Sequence, residues 1–262
     1  MKLIICFLLG FSLPIFSQEE RLETEFNVPA HVIGGMADFD YVIQSQIIYP
    51  ANLLKKRVKE DVVVHFVVSS KGEIKNIEFK ENYKPEFRAE VQRLLRYFIF
   101  EPALMGNVKV ASATSLVIKF DPTLYKKYTR ERGFVIHKET AKFDTSFVIY
   151  TMADSSPQYI KGDEEFNEYV YKNLEYPDIA IRQSIQGTVV LSFIVEPNGT
   201  LSNVFPEKEF NHFCTAAALN VMKDTKWKPG SKDGKLVRYK MKYPISFNIN
   251  NSARDNSMGS QR

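Results

Sequence analysis

A chain of 262 residues with 44% hydrophobic and 13% aromatic side chains can bury two modest cores, which excludes global disorder. A net charge of +4 over that length lacks the dense basic stripe of a dedicated nucleic-acid binder. Two cysteines, Cys6 and Cys214, make no disulfide framework.

Lys2 precedes an apolar run from Leu3 to Phe16, and Ser17 then leads into polar, acidic sequence. A short positive region, an apolar core and a small residue read as a signal peptide over residues 1–17. As a helix the run would reach about 21 Å, short of a hydrocarbon core of about 30 Å. Pro14 also interrupts it, and an uncleaved anchor is the alternative. Cleavage would leave Cys214 alone.

After a flexible lead-in over 18–25, the spacing Phe39, Val42, Ile43, Ile47 predicts an amphipathic helix. Asp38 is expected to cap it and Tyr49-Pro50 to end it. A short helix, Ala51 to Arg57, leads into a hairpin over Asp61 to Ile77. Phe87, Val91, Leu94, Leu95 and Phe98 then mark one face of a helix over Lys84 to Phe98. Glu101-Pro102 breaks the chain, and Val108 to Phe120 is predicted as a final strand stopped by Asp121-Pro122. Residues 123–144 carry Lys126, Lys127, Arg130 and Arg132, offset in part by Glu131, Glu139 and Asp144. They read as a solvated linker with a brief strand at Gly133 to His137.

The pattern then recurs. Phe147 to Thr151 suggests a strand, and Phe166, Tyr169, Val170, Asn173 and Leu174 repeat the amphipathic helix before Tyr176-Pro177. Gly187 to Val204 is a hairpin turning through Glu196-Pro197-Asn198-Gly199. A helix over Asn211 to Asp224, the break Lys228-Pro229 and a last strand over Leu236 to Asn248 follow. Phe66 and Phe193 are 127 residues apart (193 − 66 = 127), and so are Gly72 and Gly199, and Asn76 and Asn203. The strand phase is kept, so both copies bury the same sheet face. The predicted fold class is α+β, with two tandem units, each an antiparallel sheet with helices packed on one face. Their bounds are 26–122 and 145–249, with the linker 123–144 between them and a polar, disordered tail over 250–262.

Tyr176-Pro177, Gly187, the Phe193 strand, Asn198-Gly199 and Asn203-Val204 form one constellation with Trp227-Lys228-Pro229-Gly230 and Pro244-Ile245-Ser246-Phe247. Together they resemble the C-terminal domain of TonB proteins. The first unit resembles a diverged member. It keeps Tyr49-Pro50, Phe66, Gly72, Asn76 and Glu101-Pro102, but has Glu60 for the glycine and Phe100 for the tryptophan. The resemblance implies a periplasmic domain that adds its exposed strand to a short peptide of outer-membrane receptors. It also implies that a glutamine three residues before Tyr-Pro lies near that peptide. Gln46 stands there in the first unit and Asn173 in the second, beside Tyr49, Pro50, Tyr176 and Pro177. The anchor and proline-rich spacer of force-transmitting members have no counterpart in this reading. The resemblance therefore carries binding and not energy coupling.

No catalytic constellation emerges. His31, His65, His137 and His212 match no HxxxH or HExxH pattern, and His65 falls on the more polar face of its strand. Cys214 aligns with Phe87 on an apolar helix face and reads as a buried structural thiol. Gly34, Gly35 and Gly162 lack the Gly-Lys-Ser/Thr of a phosphate loop, and Trp227 reads as core. No enzyme activity, metal or cofactor is expected. The working surface is expected on the last strand, where Val237, Tyr239 and Met241 alternate with Arg238, Lys240 and Lys242. A basic face suits an acidic or polar peptide, and lysines also protect a bare edge. The expectation is an exported adaptor for an outer-membrane TonB-dependent receptor or another envelope protein, with no nucleic acid or small-molecule substrate. A homodimer stays open. The alternatives are a structural envelope protein that binds cell wall or dimerises by strand exchange, and a membrane-anchored transducer.

Overall fold

A computed structural model describes residues 21–131, 142–223 and 225–249. The expected signal peptide, the brief strand at 133–137 and the tail 250–262 lie outside the described residues. The first unit runs α1 (Gly35–Gln46), α2 (Ala51–Lys55), β1 (Glu60–Val68), β2 (Ile74–Glu78), α3 (Pro85–Leu95) and β3 (Ser112–Phe120). Next come α4 (Pro122–Glu131) and β4 (Ile149–Tyr150). The second unit continues with α5 (Asp163–Asn173), α6 (Asp178–Arg182), β5 (Gly187–Val195), β6 (Leu201–Lys208), α7 (His212–Met222) and β7 (Arg238–Phe247).

Both sheets are antiparallel hairpins extended by a later strand, in the order β2-β1-β3 and β6-β5-β7, with β4 added in parallel outside β7. The register repeats as well, Glu60 facing Phe120 and Gly187 facing Phe247. Left-handed residues recur at matching places: Arg57 and Ser184 at φ 52, Asn76 and Asn203 at φ 51. The architecture is α+β. Alternation decides which side chains are buried. Val62, Val64, Phe66 and Val68 enter the first core, where the Phe87 and Phe120 rings stack at 4.1 Å. Val189, Leu191, Phe193 and Val195 enter the second core with Trp227 and Cys214.

Four departures from the sequence expectation have physical causes. Gly34, at φ 83, precedes α1, so Asp38 lies in the helix's first turn and is not its cap. Residues 122–131 are helical and not a solvated linker, because Tyr125 and Tyr128 pack back onto the first core. The strand expected over Val108 to Phe120 is two, since Val108–Val110 pairs with Ala103–Met105 around Gly106 before β3 begins. In the β5–β6 turn Gly199 takes positive φ and Asn198 does not.

Gly72 occupies the same turn position in the first unit, at φ 82, and an added Cβ would stand 2.4 Å from the Phe100 carbonyl oxygen. Gly72→Ala combines left-handed strain with that clash. It is expected to destabilise the first unit by about 2 kcal/mol or more, read as a lower urea midpoint.

Candidate functional site

The residues expected to meet a receptor peptide divide sharply. Gln46 is 6% exposed and fully engaged inside the protein. Its Nε2 donates to Thr200 Oγ1 at 2.7 Å, and its Oε1 accepts from Asn198 Nδ2 at 3.1 Å. It ties the end of α1 to the β5–β6 turn, which corrects its assignment as a peptide contact. Tyr49 is also core; its hydroxyl donates to the Val58 carbonyl, and the Tyr176 hydroxyl repeats this with Ile185 at 2.5 Å. Pro50 and Pro177 precede α2 and α6. These Tyr-Pro pairs hold a short helix against its sheet, while Asn173 is exposed at the end of α5.

The first unit also grips the second through polar contacts just past that turn, on β6. The Asp38 carboxylate accepts from the backbone N–H groups of Asn203 at 2.9 Å and Val204 at 3.3 Å. Asn203 in turn accepts from Ile99 N–H at 2.9 Å and donates to the Tyr97 carbonyl at 2.8 Å. Arg238 is not on a presented basic stripe. It is 4% exposed, with Nε 2.9 Å from Glu196 Oε2 and Nη2 2.8 Å from Glu196 Oε1. Its remaining donors reach the Arg96 and Tyr97 carbonyls, both at 3.1 Å. Lys242 pairs with Glu207, and Lys240 lies over the Phe205 ring, so the expected basic face is largely spent on internal partners. Val237 is buried, and its N–H donates to the Gly230 carbonyl.

Burial pushes the Asp38 carboxyl up to about 7, against the two backbone N–H groups that lower it; Glu196 adds a smaller push upward. The folded state therefore holds a proton that the unfolded chain releases near pH 3.8. Stability from this group is full at low pH and is lost as pH rises toward 7. Raising the pH from 6 to 8 is expected to lower stability by about 1 kcal/mol through Asp38. The check is the pH dependence of urea unfolding in the wild type minus that in Asp38→Ala; a flat difference would sink the assignment.

Most of the outer edge of β7 is open. β4 covers β7 only at Arg238 and Tyr239, and among the described residues no strand pairs with the outer edge from Lys240 to Phe247. The pairing with β5 runs without a shift, and Pro244 faces Val190. In an antiparallel ladder, alternate residues turn both backbone groups toward or away from the neighbour. Pro244 has no N–H, so it fits the outward set with Lys240, Lys242 and Ser246. Beside this edge lies a groove of about 500 Å³ whose other wall is α5 and α6. Tyr171 and Ile181 stand exposed in it, at 45% and 36%, and the Tyr243 hydroxyl is hydrogen-bonded to Asn167 across it.

Residues 172–249, covering the end of α5 through β7, match the family model for the Gram-negative bacterial TonB protein C-terminal. The second unit carries the TonB C-terminal signature. The TonB proteins of two strains of Xanthomonas campestris pv. campestris are 30% identical to this chain over 77 residues, 29% of its length. That match spans 34% of each of those relatives, about a third of their length. A solution structure of the Helicobacter pylori TonB C-terminal domain, residues 194–285, aligns at 21% identity with a TM-score of 0.26. It covers 33% of this chain and 91% of that one.

Within the TonB-like segment, Trp227 is core and its Nε1 donates to Thr225 Oγ1 at 3.0 Å. Cys214 is fully buried, and burial pushes its thiol up. Among the described residues no group of three or more His, Cys, Asp and Glu is placed to hold a metal ion. No described helix is long and apolar enough to cross a membrane. Sequence reasoning missed Glu196 and placed Arg238 on the presented face of its strand instead of in a buried ion pair. A signal existed: across the 127-residue offset Glu196 and Arg238 stand where Ser69 and Ala111 do, so opposite charges enter the second unit together.

Proposed function

We propose that this protein is an exported, non-enzymatic envelope adaptor whose TonB-like second unit captures an extended peptide of an outer-membrane TonB-dependent receptor. The peptide adds as a strand to the outer edge of β7 between Lys240 and Phe247. Backbone hydrogen bonds supply affinity, and side chains along the added strand supply register. The observation that carries this reading is the unpaired length of β7 inside the segment matched to the TonB C-terminal family. On this reading the first unit is a diverged copy whose α1 braces the β5–β6 turn.

The test is titration of N-terminal receptor peptides into the mature protein, followed by backbone amide shifts. Saturable binding with the largest shifts on Lys240, Lys242 and Ser246 is expected. Binding that shifts residues of the first unit alone would refute the assignment of the edge.

A further inference from the structure

The first unit already fills the groove that the second leaves open. After β3 the chain turns back as α4, and Tyr125 lies 5.4 Å from the Tyr49 ring. Tyr125 and Tyr128 are partly buried against the first core, alongside Leu54 and Leu116. Glu131 accepts from Gln44 Nε2 at 3.0 Å, and Tyr128 is near enough to Asp40 for the two to interact electrostatically. Asp40, Gln44 and Tyr49 thus face α4, and Leu54 and Leu116 pack against the same core as Tyr125 and Tyr128. Each has a counterpart 127 residues on: Asn167, Tyr171, Tyr176, Ile181 and Tyr243. All five counterparts line the open groove.

The chain following β7 does not carry the same anchors. The positions matching Tyr125 and Tyr128 are Ser252 and Asp255, and residues 250–262 contain no aromatic side chain. We propose that this groove docks a short amphipathic helix of a partner protein, anchored by two aromatic side chains three residues apart. Residues at i and i+3 share one helix face, and aromatic anchors in a preformed groove dominate such contacts. α4 shows the form of the ligand: its charged residues Lys126, Lys127 and Arg130 fall between and after the anchors. The inference rests on reading this surface as the docking face and adds what occupies the space beside the strand edge.

The probe is a labelled peptide of residues 121–132, titrated into the full chain and followed by anisotropy. Saturable binding is expected. It should fall at least tenfold when Tyr125 and Tyr128 of the peptide are replaced by Ala, and at least tenfold for the Ile181→Lys protein. Tyr171→Ala serves in its place if Ile181→Lys does not fold. Lys242→Pro, which removes an edge N–H and leaves the groove floor intact, should change helix-peptide binding less than threefold. Helix-peptide binding without receptor-peptide binding would defeat strand addition and leave this proposal standing. No saturable binding up to about 1 mM, equal binding of the Ala-substituted peptide, or indifference to Ile181→Lys would overturn it. So would a dimer of this chain that excludes the peptide, since the occupant would then be a second copy.

Discussion

Arg238→Met is expected to destabilise the second unit by about 3–5 kcal/mol. The Glu196 side chain is 0% exposed, and Arg238 supplies its only opposite charge within salt-bridge range among the described residues. Removing the guanidinium strands a buried carboxylate, with the Ser202 hydroxyl left as a hydrogen-bond donor to it. It also removes donors from the Arg96 and Tyr97 carbonyls, which belong to the first unit. The substitution should therefore loosen the join between the units as well as the sheet, and a single urea transition should split into two. The partner substitution separates charge from packing. Glu196→Leu combined with Arg238→Met removes both charges and should recover much of the loss, because a buried pair is worth far less than the penalty for breaking it. A loss below about 1 kcal/mol for Arg238→Met alone would mean that water reaches Glu196 and that the join is not organised by this pair.

Elements with a strong period were legible in the sequence. β1 alternates cleanly because one face is buried, while β5 is buried on both faces from Leu191 to Val195, and Gly72 and Gly199 mark turns where a left-handed residue is required. The two-residue pairs, such as His31–Val32 with Phe100–Glu101, carry no period and left no trace. α4 was hidden for another reason. Its apolar face is Pro122, Tyr125 and Tyr128 within a run of charges, so composition pointed to solvent while the core drew the helix in. The site was half legible. The strand expected to carry the site could be placed as β7, but alternation could not tell that Arg238 differs from Lys240 and Lys242. That difference comes from outside the strand, where Tyr97 and Phe147 lie 5.2 and 5.8 Å from its guanidinium. Gln46 misled for the same reason. Its expected contact came from the resemblance alone, and here its amide meets the other half of the chain.

Lys242→Pro should abolish strand addition while leaving the sheet folded. Residue 242 belongs to the outward set with Pro244, so its N–H serves no bond to β5. The ring removes one outer donor and places bulk where an incoming strand must lie. An unmade backbone hydrogen bond with its acceptor stranded costs about 1–3 kcal/mol, or roughly tenfold to a hundredfold in affinity before any steric term. A loss of about a hundredfold for an extended receptor peptide is expected, with the urea midpoint little changed. Lys242→Ala supplies the contrast. It breaks the ion pair with Glu207, which is half-exposed and worth little, and leaves the backbone intact. Affinity should then move by less than about threefold. Met241→Pro is the opposite control: residue 241 faces Phe193 and turns its N–H toward β5, so proline there should damage the sheet itself. If Lys242→Pro binds the peptide as tightly as the wild type, β7 is not the docking strand. If Lys242→Ala weakens binding as much as Lys242→Pro does, recognition runs through the lysine charge, and the backbone mechanism fails.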